Sequence, residues 1–153
     1  MEFALIFLVL MTMILGIIDF CRAAYSYHFV SEAAREAKRY AAVRGSTCTN
    51  DGSCTDDGNC TSYATAMCVP TYVDSIAPPG IDASSTGCGG SGCLATTASW
   101  TPLANGPTIC NATKNAPGCT VTVEVSYTFN FIFPLVRTGT LTLSSTSEMV
   151  IAH

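Results

Sequence analysis

Cysteines are the residues of this chain with the clearest chemical pattern. Eight of the nine form one group in the polar part of the sequence: Cys48, Cys54, Cys60, Cys68, Cys88, Cys93, Cys110 and Cys119. No Cys-x-x-Cys pair occurs, and His28 and His153 are remote from the group in sequence, which argues against structural zinc and covalent haem. An even number of cysteines in a short polar region predicts disulfides formed in an oxidising compartment. Their connectivity stays open, since eight cysteines allow about 105 pairings.

Cys21 is separate from this group and falls within a predicted helix. A bridge to the same residue of another copy needs the two sulfurs within bonding distance. We therefore expect Cys21 to remain a free thiol.

Other polar residues give weaker signals. The acidic stretch 50–59 offers oxygens that calcium accepts, but it lacks the EF-hand spacing and its closing Glu, so a solvated turn is favoured. Asn59 and Asn111 match the glycosylation acceptor pattern. No histidine has a nucleophile and an acid beside it in sequence, and no phosphate-binding loop occurs. We expect no enzymatic activity, no cofactor and no metal.

Charge is unevenly distributed along the chain. After residue 45 the basic residues are Lys114 and Arg137, against seven Asp and Glu. Binding of nucleic acid requires clustered Lys and Arg. The sequence therefore predicts no nucleic-acid partner.

An uncharged apolar run extends from Phe3 to Ile18. As a helix it covers roughly 24 Å, slightly less than the bilayer core of about 30 Å. A signal peptide would have a basic start and a small-residue cleavage site. Here the chain begins Met1-Glu2 and the run continues into further helix, which favours an uncleaved apolar segment.

The continuation from Asp19 to Arg44 contains no Pro or Gly and is rich in helix formers. We predict one helix over residues 2–44, roughly 65 Å long, ending before Gly45 as C-cap. Ala37 and Ala41 belong to an Ala stripe that suits either close helix approach or, as we favour, support of the chain's own strands. Such a helix exceeds the size of the remaining domain, so its first half must contact lipid or other subunits.

The sequence of residues 45–153 predicts a small domain at the end of the helix, which we call the head. Residues 61–76 have helical character, 94–100 suggest a short strand, and 120–133 alternate apolar and polar residues as a strand does. Residues 140–151 form the next strand, which we expect to pair antiparallel with 120–133. The predicted architecture is α+β with two units: a hydrophobic helix over 1–44 and a disulfide-stapled extracellular head over 45–153.

The N-terminal motifs resemble those of a known family. Glu2-Phe3-Ala4-Leu5, residues 16–20 with Arg22, and residues 31–37 and 39–41 are similar to TadE-like proteins, the pseudopilins or minor pilins of tight-adherence (Tad) type IV pilus systems. The resemblance returns in residues 121–129 and 141–147, so it covers both ends of the chain but not the middle. Two departures stand out. Cys21 occupies a position where the family usually has Gly, and only Met1 precedes Glu2, whereas pilin-like proteins usually carry this Glu at the fifth mature position.

The resemblance implies a structural role and a set of partners. It implies copies of the same subunit in a helical filament, an inner-membrane assembly machinery and a prepilin peptidase. It also implies residence in the inner membrane before assembly and on the cell surface afterwards. The candidate assembly residues are Glu2, Phe3, Phe7, Leu10, Ile14, Ile17, Asp19 and Arg22.

Two of these sites have alternative interpretations. The resemblance implies that Glu2 pairs with the N-terminal amine of a neighbouring subunit, whereas a carboxylate in water at the membrane surface is the simpler alternative. Asp19 and Arg22 are three residues apart and can pair within the helix or across subunits.

We expect a subunit that polymerises through its N-terminal helix into an extracellular filament. The alternative is a membrane-anchored accessory protein that primes or supports a Tad pilus built from another subunit. A secreted binding module with an uncleaved anchor is a weaker third option. The positive charges follow the apolar run, which by the positive-inside rule conflicts with an oxidised head. We therefore expect the gene to encode a basic leader upstream of residue 1.

Overall fold

The computed structural model describes residues 2–44, 68–81, 83, 92–104, 106–107, 110, 116–132 and 140–151, with the backbone alone for Glu2. These residues form two helices and three strands: α1 (Glu2–Val43), α2 (Cys68–Ser75), β1 (Leu94–Pro102), β2 (Cys119–Phe129) and β3 (Leu141–Val150). The α+β architecture with one long N-terminal helix is confirmed.

The sheet is antiparallel, with strand order β1-β2-β3. Tyr127 of β2 pairs with Leu94 of β1, and Phe129 pairs with Leu141 of β3. Side chains alternate across a strand, and every second residue of β2 is buried, on the side of the sheet that α1 covers. The predicted antiparallel pairing of the last two strands is confirmed.

The two helices cover one face of this sheet. α1 contacts β2 and β3, while α2 contacts β1 and α1. Ala33, Ala37 and Ala41 of α1 are completely or almost completely buried, and their small side chains let the helix backbone approach the strands closely. The Ala stripe thus supports the chain's own sheet, as we favoured for Ala37 and Ala41.

A second set of contacts holds α2 in place. Val69 and Val73 are fully buried, and the ring of Tyr72 stacks on Tyr40 of α1 with centroids 4.3 Å apart. Pro70 lies in the first turn of α2, where a missing backbone N–H breaks no helical hydrogen bond.

Two boundaries differ from the predicted ones by two residues or more, those at the ends of β1 and β2, and the predicted start of α2 is untested. α2 is described only from Cys68, because 61–67 lie outside the described residues. β1 extends to Pro102, which a strand tolerates at its end or at a sheet edge. β2 ends at Phe129 rather than Phe133, because the chain leaves the sheet there and the backbone of Ile132 turns toward α1.

Candidate functional site

The apolar half of α1, which we define as Phe3–Ile18, is exposed along nearly its whole length. α1 is long and apolar enough to cross a membrane, and only 6% of its most apolar stretch is buried within the chain. Large side chains lie exposed on every side of the helix, from Phe3 to Ile18. A helix that is apolar all round requires a surrounding apolar medium.

Five predicted assembly residues lie on this half of the helix. All five are exposed, and they follow one another at intervals of four and three residues: Phe3, Phe7, Leu10, Ile14 and Ile17. That spacing places them along one stripe of the helix. Glu2 begins α1, but its side chain lies outside the described atoms, so its predicted pairing is untested.

The polar groups in the apolar half are internally satisfied where the structure describes them. The hydroxyl of Thr12 donates a hydrogen bond to the carbonyl oxygen of Val9 at 2.8 Å. Gly16 has no atom within 4 Å of the position that a Cβ would occupy, apart from its own helix backbone and chain neighbours. The hydroxyl of Thr12 therefore needs no partner from lipid or from another subunit. The rest of the surface from Phe3 to Ile18 is apolar.

Asp19 marks the junction between the apolar half and the head. Its residue is 4% exposed, and its Oδ1 accepts a hydrogen bond from the backbone N–H of Ile132 at 3.3 Å. The same oxygen forms an ion pair with Nη1 of Arg22, also at 3.3 Å. A buried carboxylate is costly unless it is paired and hydrogen-bonded, and both contacts come from this chain.

Arg22 continues the junction toward the sheet. Its guanidinium carbon lies 5.3 Å from the centre of the Phe129 ring, and its carbonyl oxygen accepts a hydrogen bond from the hydroxyl of Ser26 at 3.0 Å. Asp19 and Arg22 thus pair within one helix, which was one of the two interpretations of the sequence. The contacts to Phe129 and Ile132 were not anticipated, since no local pattern signals a contact across more than 100 residues.

A shallow cavity of about 350 Å³ opens beside this junction. Cys21, Arg22, Tyr25 and Ser26 line one side of it, and Tyr127 and residues 79–81 line the other. Cys21 is exposed and is a free thiol.

Disulfides are present in the head. Cys110 and Cys119 are bonded, with Cα atoms 5.8 Å apart, and Cys68 and Cys93 are also disulfide-bonded. Four of the predicted disulfide cysteines lie outside the described residues: Cys48, Cys54, Cys60 and Cys88. Asn59 and Asn111 lie outside them as well.

Within the described ranges, no cluster of His, Cys, Asp and Glu could hold a metal ion. The features that the structure does bring together are an exposed apolar helix, a small head packed on its second half, and a hydrogen-bonded junction. This arrangement is the one expected of a pilin-like protein.

A model of the TadE-like protein family matches residues 1–39. The match confirms the N-terminal part of the resemblance and covers the apolar half, the α1 side of the junction and most of the helix that supports the head. The part of the resemblance in residues 121–129 and 141–147 lies outside the match. It indicates a pilin-like protein associated with a Tad pilus, a structural rather than an enzymatic class. No curated protein and no solved structure matches the chain.

Proposed function

We propose that this protein is a membrane-anchored pilin-like subunit that polymerises through the apolar half of α1 into an extracellular filament. The observation that carries the proposal is the exposure of that half beside a separate, well-packed head. Each large apolar side chain left in water costs roughly 1.5–3 kcal/mol, so the helix requires lipid before assembly and other helices afterwards.

The orientation of the head follows from its chemistry. Disulfides such as Cys110–Cys119 form in oxidising compartments, so the head faces away from the cytoplasm while the apolar half lies in the inner membrane. Assembly moves the helix from lipid into a bundle of like helices. The partners are copies of this subunit, the inner-membrane assembly machinery and a prepilin peptidase.

Glu2 has a specific role in this proposal. A carboxylate that leaves the membrane surface for a helix bundle requires a partner, and the N-terminal amine of a neighbouring subunit supplies one. Asp19 does not contribute in the same way, because its carboxylate is already covered by Arg22 and Ile132 of its own chain.

The accessory function is a second candidate, and one observation favours it. The second half of α1 packs on the chain's own sheet through Val30, Ala34 and Ala37. The length of the helix therefore does not by itself require a stack of neighbouring helices. The exposed half, apolar on all sides, is satisfied by lipid alone.

The test introduces a charge into the apolar half, one position at a time: Phe7→Lys, Ile14→Asp or Ile17→Asp. Val43→Asp is the matched control, because Val43 is a large exposed apolar residue of α1 outside the apolar half. Electron microscopy of extracellular material should show filaments for the control and none for the three variants. Filaments that persist unchanged in the variants would exclude polymerisation through this surface.

Glu2→Gln separates assembly from anchoring. It removes a charge without adding one to the apolar half, so the protein should still enter the membrane fraction. We expect fewer filaments at an unchanged amount of membrane-bound subunit. If the wild-type protein is present at the membrane but is a minor component of purified filaments, the proposal that it forms the filament is wrong and the accessory function is supported.

A further inference from the structure

The end of the head that lies next to the apolar half carries exposed apolar side chains. Phe20 of α1 is 73% exposed, Ile132 is 63% exposed, and Leu141 at the start of β3 is 42% exposed. We call these three residues the head base. They are separated in sequence but are brought to one end of the head by the fold.

The contacts at the junction fix the level of the head base along α1. The hydrogen bond from Ile132 to Asp19 places the backbone of Ile132 beside the residue that follows the apolar half. Phe129, which Arg22 covers, pairs with Leu141. The head therefore begins at the level of Asp19, with no free length of helix between it and the apolar half.

The length of the apolar half adds a second constraint. Phe3–Ile18 spans roughly 24 Å as a helix, and a bilayer core is about 30 Å thick. A short apolar span is accommodated by thinning of the bilayer or by drawing flanking residues toward it. Here the flanking residues are Phe20 and, at the same level, Ile132.

The polar groups beside the head base are compatible with a position at the surface of the bilayer. The carboxylate of Asp19 is covered by its own chain, so it does not face lipid unpaired. The side chain of Arg22 is 43% exposed, and Arg reaches from apolar surroundings to lipid phosphates. Tyr25 and Tyr27, just above, are exposed, and Tyr is enriched at membrane interfaces.

We infer that the head base lies in the interface of the bilayer, so that the unassembled subunit rests its head on the membrane instead of holding it away on a stalk. The partner is the lipid surface itself. This inference rests on the proposed membrane anchoring of α1, and it adds a second contact with the bilayer that the helix alone does not provide.

Tryptophan fluorescence in vesicles tests the inference on the full chain. The reporters are Ile132→Trp and Phe20→Trp, which replace exposed side chains and so leave the core intact. Leu10→Trp reports the middle of the apolar half. Val150→Trp is the matched control, because Val150 is 45% exposed but lies at the opposite end of the sheet, paired with Thr120.

Each variant is reconstituted in phosphatidylcholine vesicles brominated either near the headgroup or near the chain end. The unsubstituted protein gives the background of Trp100. We expect both head-base reporters to be quenched more by bromine near the headgroup, Leu10→Trp more by bromine near the chain end, and Val150→Trp by neither.

The outcomes separate the two proposals. If Leu10→Trp is quenched and Ile132→Trp behaves like Val150→Trp, the head stands away from the bilayer and the inference is overturned, whatever Phe20→Trp shows, because Phe20 lies on α1 beside the apolar half. If Leu10→Trp itself is not quenched, α1 does not span the bilayer and the proposed anchoring fails first.

Discussion

The carboxylate of Asp19 accepts a hydrogen bond from the backbone N–H of Ile132 at 3.3 Å, joining the start of the helix's packed half to the chain just beyond β2. Arg22 strengthens this junction by pairing with Asp19 and covering the ring of Phe129. These four residues fix the direction of α1 relative to the sheet. The apolar half therefore projects from a defined end of the head.

Replacing Asp19 with Ala should destabilise the head by about 1–3 kcal/mol, because it removes the acceptor of the Ile132 N–H and the partner of Arg22. Chemical unfolding in detergent micelles, followed by the near-ultraviolet signal of the single tryptophan, Trp100, measures the change. Hydrogen exchange at the Ile132 amide should also become faster.

Asp19→Asn is the control for this prediction. The amide oxygen can still accept from Ile132, so we expect a smaller loss, which reflects the loss of the carboxylate charge beside Arg22. Equal losses for Asn and Ala would show that the hydrogen bond to Ile132 contributes nothing measurable.

Replacing Ala37 with Leu should cost about 1–3 kcal/mol, because Ala37 is completely buried between α1 and the sheet and a larger side chain forces the two apart. The matched substitution Ala24→Leu is on an exposed position of the same helix. It should change the free energy of unfolding by no more than about 0.5 kcal/mol.

Thermal unfolding of both variants in the same detergent gives the comparison. Similar midpoints for Ala37→Leu and the unsubstituted protein would mean that the Ala stripe does not set the distance between helix and sheet.

Local patterns in the sequence predict most of this fold. The uninterrupted run of helix formers predicts α1 to within a residue of its end at Val43. The alternation from Val121 to Phe129 predicts a strand whose inner residues are buried. Both predictions depend only on residues that are close together in the sequence. The alternation of apolar and polar residues continues along a strand whose one face is buried, so it can be recognised without knowing the rest of the fold.

The junction could not be predicted in this way. The alternation continues past Phe129 through Phe131 to Phe133, so nothing in the sequence indicates that β2 ends and that Ile132 turns toward Asp19. The hydrogen bond between those residues spans 113 positions. The pairing of β1 with β2 likewise depends on tertiary packing, because a strand pattern identifies no partner.

Alkylation without prior reduction should label Cys21 and leave the head cysteines unlabelled. Cys21 is exposed and free, whereas Cys68, Cys93, Cys110 and Cys119 are in disulfides. Mass spectrometry of tryptic peptides identifies the labelled residue. The expectation that all eight head cysteines form four disulfides is tested in the same experiment.

Reduction before alkylation is the control, and it should expose every cysteine to the reagent. Labelling of Cys110 or Cys119 in the unreduced protein would contradict the bond between them. Labelling of several of the other head cysteines would contradict the complete set of four.

Replacing Gly118 with Ala should destabilise the head, because Gly118 precedes β2 with a φ of 89°, a conformation that favours glycine. An added Cβ would also lie 3.1 Å from Cδ of Pro107. The strain of such a backbone conformation costs about 1–3 kcal/mol. The N–H of Gly118 donates to the carbonyl oxygen of Ile151 at 3.0 Å, so the strain acts on the β2–β3 pairing beside the Cys110–Cys119 disulfide.

Gly16→Ala is the matched control, because Gly16 lies in α1 with open space around its Cα. Ala has the higher helix propensity by about 1 kcal/mol, so this variant should be unchanged or slightly more stable. A second variant, Gly106→Ala, would place its Cβ 2.6 Å from the carbonyl oxygen of Gly118, so it should destabilise the same corner. If Gly118→Ala and Gly106→Ala both unfold at the midpoint of Gly16→Ala, this corner does not constrain the start of β2.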